Sequence, residues 1–155
     1  MDDLEFRCLN VLLQNSCALV ERFKRAFDSI EPNLCENFEL TPNLAPEKGY
    51  LVISYLLEFA CECQNMLNIE LGRAGLLSLP QHWLLQNIKE VIQRVLNLDD
   101  EWEYRRLLEV LWKIDKELVR EFTVYGLNSH NVEVIEAATD SLHELNISEA
   151  PLDCV

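Results

Sequence analysis

The chain has 155 residues, 49% of them apolar, and a formal charge of −14 from 27 acidic and 13 basic residues. That length and apolar content give a folded domain with a real core and exclude a disordered chain. Four glycines and five prolines are too few for the turns of a many-stranded sandwich, so the fold class is all-α, and the acidity excludes the basic footprint of a direct nucleic-acid binder.

The first helix is read over residues 3–29, where Leu4, Leu9, Val11/Leu12, Leu19/Val20, Phe23 and Phe27 recur at helical spacing. Asp2 or Asp3 is placed to cap it, and Glu31-Pro32-Asn33 stops it. A connector to about Ala45 follows, with Leu34, Phe38 and Leu40 expected to pin it to the core. Pro46 suits the first turn of the next helix, read over 46–71 and ended by Gly72. That helix is apolar nearly all round, with Ser54, Glu58, Glu62 and Asn65 as a narrow polar stripe, and so belongs at the centre of the fold. Arg73-Ala74-Gly75 reads as a turn. Ser78-Leu79-Pro80-Gln81 reads as the capped start of a helix over 79–96, which buries Leu84/Leu85, Ile88, Val91/Ile92 and Val95.

Asp100 is placed to cap a helix over 100–114, with Glu103 at its third position and Tyr104, Leu107/Leu108, Leu111 and Ile114 inward. Asp115 opens a shorter helix over 116–125, closed by Gly126. Ser129 or Asn131 opens the last, over 131–145, and 147–155 is expected to be a flexible tail. The whole is about six helices in one domain, 1–146.

Comparing Glu103-Tyr104-Arg105-Arg106-Leu107-Leu108 with Glu133-Val134-Ile135-Glu136-Ala137-Ala138 gives an internal alignment at an offset of thirty residues. Each follows an Asp- or Asn-containing start, and a short return helix lies between them. The stretch 99–145 thereby resembles HEAT-type helical repeats, although Tyr104 stands where those carry Val and Ile135 where they carry Arg. The resemblance covers under a third of the chain. It implies right-handed solenoid stacking of the helices; the competing architecture is an irregular helical bundle.

Chemistry is sparse. Glu58 and Glu62 are spaced to share a helical face, but neither is followed at the third position by the His of a paired-carboxylate metal site. His82, His130 and His143 have no familiar ligand set. The glycines are too scattered for a phosphate cradle, and no serine sits in a nucleophile elbow. No catalytic residue, metal or cofactor is therefore assigned, and the chain is read as non-enzymatic. The six cysteines are read as reduced thiols, mostly small core residues, in a cytosolic protein. No secretory leader or prenylation box is recognised, and the most apolar run, Tyr50 to Ala60, is too short to span a bilayer.

Charge is the most informative feature. From Leu98 onward there are fourteen acidic residues against five basic ones, and no Lys or Arg after Arg120. If the helical units stack, Asp99, Asp100, Glu101 and Glu103 align with Glu133, Glu136 and Asp140 as a ridge, and Trp102 supplies an apolar anchor among them. The expectation is a protein-binding module for a basic partner, with no direct nucleic-acid or membrane contact. One form is an immunity protein or inhibitor masking a toxin or other nucleic-acid-binding protein. The alternatives are a scaffold or adaptor subunit, or an enzyme with an unrecognised site between helices.

Overall fold

Every regular element among the described residues is helical, as the composition implies. The structure, a computed structural model, describes residues 8–149. Its α-helices are α1 (Leu9–Leu13), α2 (Ala18–Asp28), α3 (Pro46–Ala60), α4 (Met66–Ser78), α5 (Gln81–Val95), α6 (Glu101–Ile114), α7 (Lys116–Leu127) and α8 (Val132–Glu149). Two 3-10 segments, Leu34–Glu36 and Phe38–Asn43, lie between α2 and α3. There are thus more helices than the expected six. Contacts group the chain into two compact units, Met1–Leu96 and Asn97–Val155, where the sequence reading takes residues 1–146 together. The candidate caps Asp2 and Asp3 lie outside the described residues.

In the N-terminal unit the helix read over 3–29 is broken. Leu9, Leu12 and Leu13 on α1 and Val20, Phe23 and Phe27 on α2 are buried. They keep one continuous helical phase, which is why the stretch reads as a single rod. Residues 14–17 lie between them, and among these Asn15 and Ser16 have side chains that compete for backbone hydrogen bonds and favour breaks. Val11 falls on the exposed side of α1.

The helix read over 46–71 is likewise two. Pro46 does open α3, but α3 ends at Ala60. Asn65 then caps α4 by accepting a hydrogen bond from the Asn68 N–H at 3.2 Å. Gly72 and the Arg73-Ala74-Gly75 stretch do not turn; they lie inside α4. α3 and α4 form an antiparallel hairpin at the centre of the unit, with α1 and α2 against α4 and α5 against α3. Gly72 is required by that crossing. A methyl group on it would overlap the Ala60 backbone nitrogen and lie 2.7 Å from the Leu56 carbonyl oxygen.

The Ser78 start signal is also redirected. Ser78 is the last residue of α4, and its hydroxyl donates to the Ala74 carbonyl at 2.7 Å, while Pro80 stands at the head of α5. In the connector, Leu34 and Phe38 are buried as expected, but Leu40 is 49% exposed. Phe38 joins Phe23, Phe27, Tyr55 and Phe59 in an aromatic cluster. Phe27 and Phe38 meet edge to face, ring centroids 5.1 Å apart. Asn33 takes the left-handed backbone conformation (φ 59°) that lets the chain reverse there, and its N–H donates to the Asp28 carboxylate at 3.0 Å.

Among the described residues the C-terminal unit has three helices. Asp100 and Asp115 cap α6 and α7 as read from the sequence, each accepting from two backbone N–H groups, and each contributes about 1 kcal/mol. Tyr104 on α6 is wholly buried, and its hydroxyl donates to the Phe122 carbonyl of α7 at 2.8 Å. Thr123 on α7 meets Ser141 on α8 through buried hydroxyls 2.8 Å apart. Gly126 lies against both Tyr104 and Ala138, so with the Thr123–Ser141 pair α7 runs antiparallel to both neighbours, and α6 and α8 run parallel. Gly126 does not close α7, which continues to Leu127. It is glycine because a methyl there would overlap the Tyr104 phenol and press within 2.9 Å of the Ala138 Cβ. α8 extends past Leu145 to Glu149, so residues 147–149 of the expected tail are helical; the remainder of that tail lies outside the described residues.

Candidate functional site

The parallel placement of α6 and α8 decides where the acid-rich residues fall. Ser129 and Asn131, in the turn before α8, reach back to the residue preceding the α6 cap. The Ser129 hydroxyl donates to the Asp99 carboxylate at 3.2 Å, and the Asn131 side-chain amide donates to the Asp99 carbonyl at 2.8 Å. The Asn131 side-chain oxygen in turn accepts from the Glu133 N–H at 3.0 Å. One turn further along, Arg105 of α6 lies 2.9 Å from Glu101 and 3.8 Å from Asp140 of α8. The starts of the two helices are therefore side by side.

The eight candidate partner-binding residues differ in what they do within the fold. Asp100 accepts from the Trp102 and Glu103 N–H groups at 2.9 and 3.0 Å. Glu103 accepts from the Asn97 N–H at 2.8 Å and so stitches the loop onto the helix. Asp99 holds the α7–α8 turn. Glu101 is committed to Arg105. Glu133, Glu136 and Asp140 are exposed on α8. Trp102, on the first turn of α6, is 53% exposed. Of the seven carboxylates in the set, Glu101 and Asp140 lie within 4 Å of the Arg105 guanidinium. Such a surface attracts cations over about a Debye length, ~8 Å at physiological salt.

Other positions singled out in the sequence fall elsewhere. Glu58 and Glu62 are not on one helix, because α3 stops at Ala60. Glu58 is exposed, and Glu62 accepts from the Asn68 side-chain amide at 2.6 Å, tying the α3–α4 loop down. Among the described residues no group of three or more His, Cys, Asp or Glu side chains is placed to hold a metal ion. His82, His130 and His143 are all exposed. Of the described cysteines, Cys35 and Cys61 are buried, Cys17 is half-buried, and Cys8 and Cys63 are exposed, fewer core thiols than the reading holds; Cys154 lies outside the described residues. Burial, then the nearby Asp28 and Glu36, push the Cys35 thiol pKa up. Among the described residues no helix is long and apolar enough to cross a membrane.

A concave feature lies in the N-terminal unit. A cavity of about 340 Å³ opens between the first turns of α3 and the middle of α5, lined by Tyr50, Trp83, Asn87 and Glu90 among others. Its two walls are more than thirty residues apart in the chain, and no local motif marks either of them. Comparison with protein-family models, curated proteins and solved structures found no match to this chain.

Proposed function

We propose that this chain is a non-enzymatic protein-binding module of the cytosol that engages a basic partner through the acidic face of α6 and α8. One concrete form is an inhibitor or immunity protein that covers the cationic, nucleic-acid-binding surface of a toxin. The observation that carries the reading is the pair of hydrogen bonds from Ser129 and Asn131 to Asp99. Through them the acids of two helix starts share one surface instead of scattering. Trp102, more than half exposed beside Asp100 and Glu101, adds the aromatic anchor on which such interfaces commonly depend.

The same geometry selects the variants for the test. Asp99, Asp100 and Glu103 hold the fold, so reversing their charge confounds binding with stability. Glu133, Glu136 and Asp140 are exposed on α8 and serve better. A pull-down from the source cell is expected to recover a basic protein whose retention falls steeply between low and physiological salt. The triple change Glu133→Gln, Glu136→Gln, Asp140→Asn is expected to weaken that retention at least tenfold, at roughly 0.5 kcal/mol or more per charge. Retention that ignores both salt and these substitutions overturns the proposal and favours a scaffold docked through apolar surface.

A further inference from the structure

The cavity of the N-terminal unit has a lining chemistry of its own. Trp83 and Tyr50 are half-buried in its walls. Gly49 sets the position of the indole: a methyl group on Gly49 would stand 3.0 Å from the Trp83 Cζ2 atom. The ring therefore rests against the bare backbone of α3, held by packing.

The lining carries acceptors alongside the Trp83 indole N–H and the Tyr50 hydroxyl. The Asn87 side-chain nitrogen donates one hydrogen to the Trp83 carbonyl at 2.7 Å, which leaves the Asn87 amide oxygen as an acceptor and its second N–H as a donor. The Thr41 hydroxyl spends its proton on the Phe38 carbonyl at 2.7 Å. Glu90 contributes a carboxylate, and no Lys, Arg or His lines the cavity. Glu90 meets Arg94 at 2.7 Å through one of its oxygens, but both side chains are about two-thirds exposed, and a pair that open to water costs little to exchange.

Two aromatic side chains, an amide oxygen and a carboxylate disfavour an anion. A neutral apolar ligand makes no use of the carboxylate. A guanidinium uses all of them, because its flat face stacks on an indole while its edge donates to oxygen acceptors. We propose that the pocket formed by Tyr50, Trp83, Asn87 and Glu90 takes the guanidinium of an arginine side chain on a partner protein. This site lies in the other unit from the acidic face and uses none of its residues.

The test is a titration of the full-length, 15N-labelled chain with N-acetyl-arginine amide, followed by NMR. Saturable shifts are expected at the Trp83 indole N–H and the Asn87 side-chain amide. Trp83→Phe identifies the indole signal among the three tryptophans. The exposed change Glu90→Gln, which leaves the packing intact, is expected to weaken binding about fivefold. The neutral isostere N-acetyl-citrulline amide is expected to give no saturable shift, and Glu133→Gln/Glu136→Gln to leave the titration unchanged. No saturable shift with the arginine probe, equal binding of the citrulline probe, or indifference to Glu90→Gln each overturns the assignment. Shifts confined to the Trp102 indole also overturn it, and they place the cation on the acidic face instead.

Discussion

Replacing Gly72 by alanine tests the central hairpin most directly. On helix propensity alone the change is favourable, by about 1 kcal/mol, because Gly72 is in the interior of α4. The surroundings oppose it. A methyl at that position overlaps the Ala60 backbone nitrogen and lies 2.7 Å from the Leu56 carbonyl oxygen and 2.8 Å from the Ala60 Cα. All three obstacles are backbone, so no side-chain rotation relieves them, and α3 must move bodily away from α4. Overpacking of this kind costs about 3 kcal/mol, the upper end of the usual range. The net expectation is a loss of about 2 kcal/mol, which shifts a urea midpoint by roughly 1 M at unchanged slope. Gly75→Ala is the matched comparison. Its methyl meets only the side chain of Leu56, whose end can rotate, so propensity and crowding nearly cancel, with a net change expected within about 1 kcal/mol. Urea unfolding followed by circular dichroism separates the two variants. A Gly72→Ala protein as stable as the parent, or less affected than Gly75→Ala, refutes the close crossing.

Asp100→Ala and Asp115→Ala each remove a cap that accepts from two N–H groups; thermal denaturation is expected to register losses of about 1 kcal/mol apiece. Glu136→Ala, on an exposed position of the same unit, is expected to stay within about 0.5 kcal/mol. Thr123→Val strands the buried Ser141 hydroxyl and is expected to cost about 1–3 kcal/mol. Adding Ser141→Ala should recover part of that loss, and strictly additive effects in the double-mutant cycle would contradict the pairing. Burial raises the Tyr104 phenol pKa above its unfolded value of about 10. The unfolded chain therefore sheds that proton first. The stabilisation is complete below pH ~10 and declines by about 1.4 kcal/mol per unit as pH rises beyond it. Tyr104→Phe is expected to flatten that part of the stability profile, at a cost of about 1 kcal/mol near neutrality; an unaltered alkaline slope would count against it.

How much the sequence told depends on the kind of signal. Caps are local, and Asp100 and Asp115 announce themselves by a short polar side chain ahead of an apolar stripe; between the two openers read for the last helix, Ser129 and Asn131, it is Asn131 that accepts from the first turn. Hydrophobic phase is local too, but it is blind to breaks that preserve it. Leu13 and Val20 are seven residues apart, two turns of one helix, so the interruption at Asn15 and Ser16 left no mark in the stripe. Glycine was the least legible residue. Gly72, Gly75 and Gly126 all looked like punctuation, yet each admits an atom from a neighbouring helix, a reason that exists only in three dimensions. The acids were easy to find and hard to interpret. Asp99 and Glu103 have the same composition signature as Glu136, and only their hydrogen bonds to Ser129 and Asn97 separate a structural carboxylate from an available one. The aromatic cavity, built by α3 and α5, could not be anticipated from either helix alone.

Asp115 serves two helices at once. Its N–H donates to the Leu111 carbonyl at the end of α6, and its carboxylate caps α7. With a single residue at the elbow, the last turn of α6 and the first turn of α7 share one anchor. The other joint is roomier: residues 128–131 separate α7 from α8. There Ser129 and Asn131 fasten onto Asp99 like a clasp. The clasp adds a further point of attachment for α8, beside the buried Thr123–Ser141 hydroxyl pair and the close pass of Ala138 over Gly126 that seat it on α7.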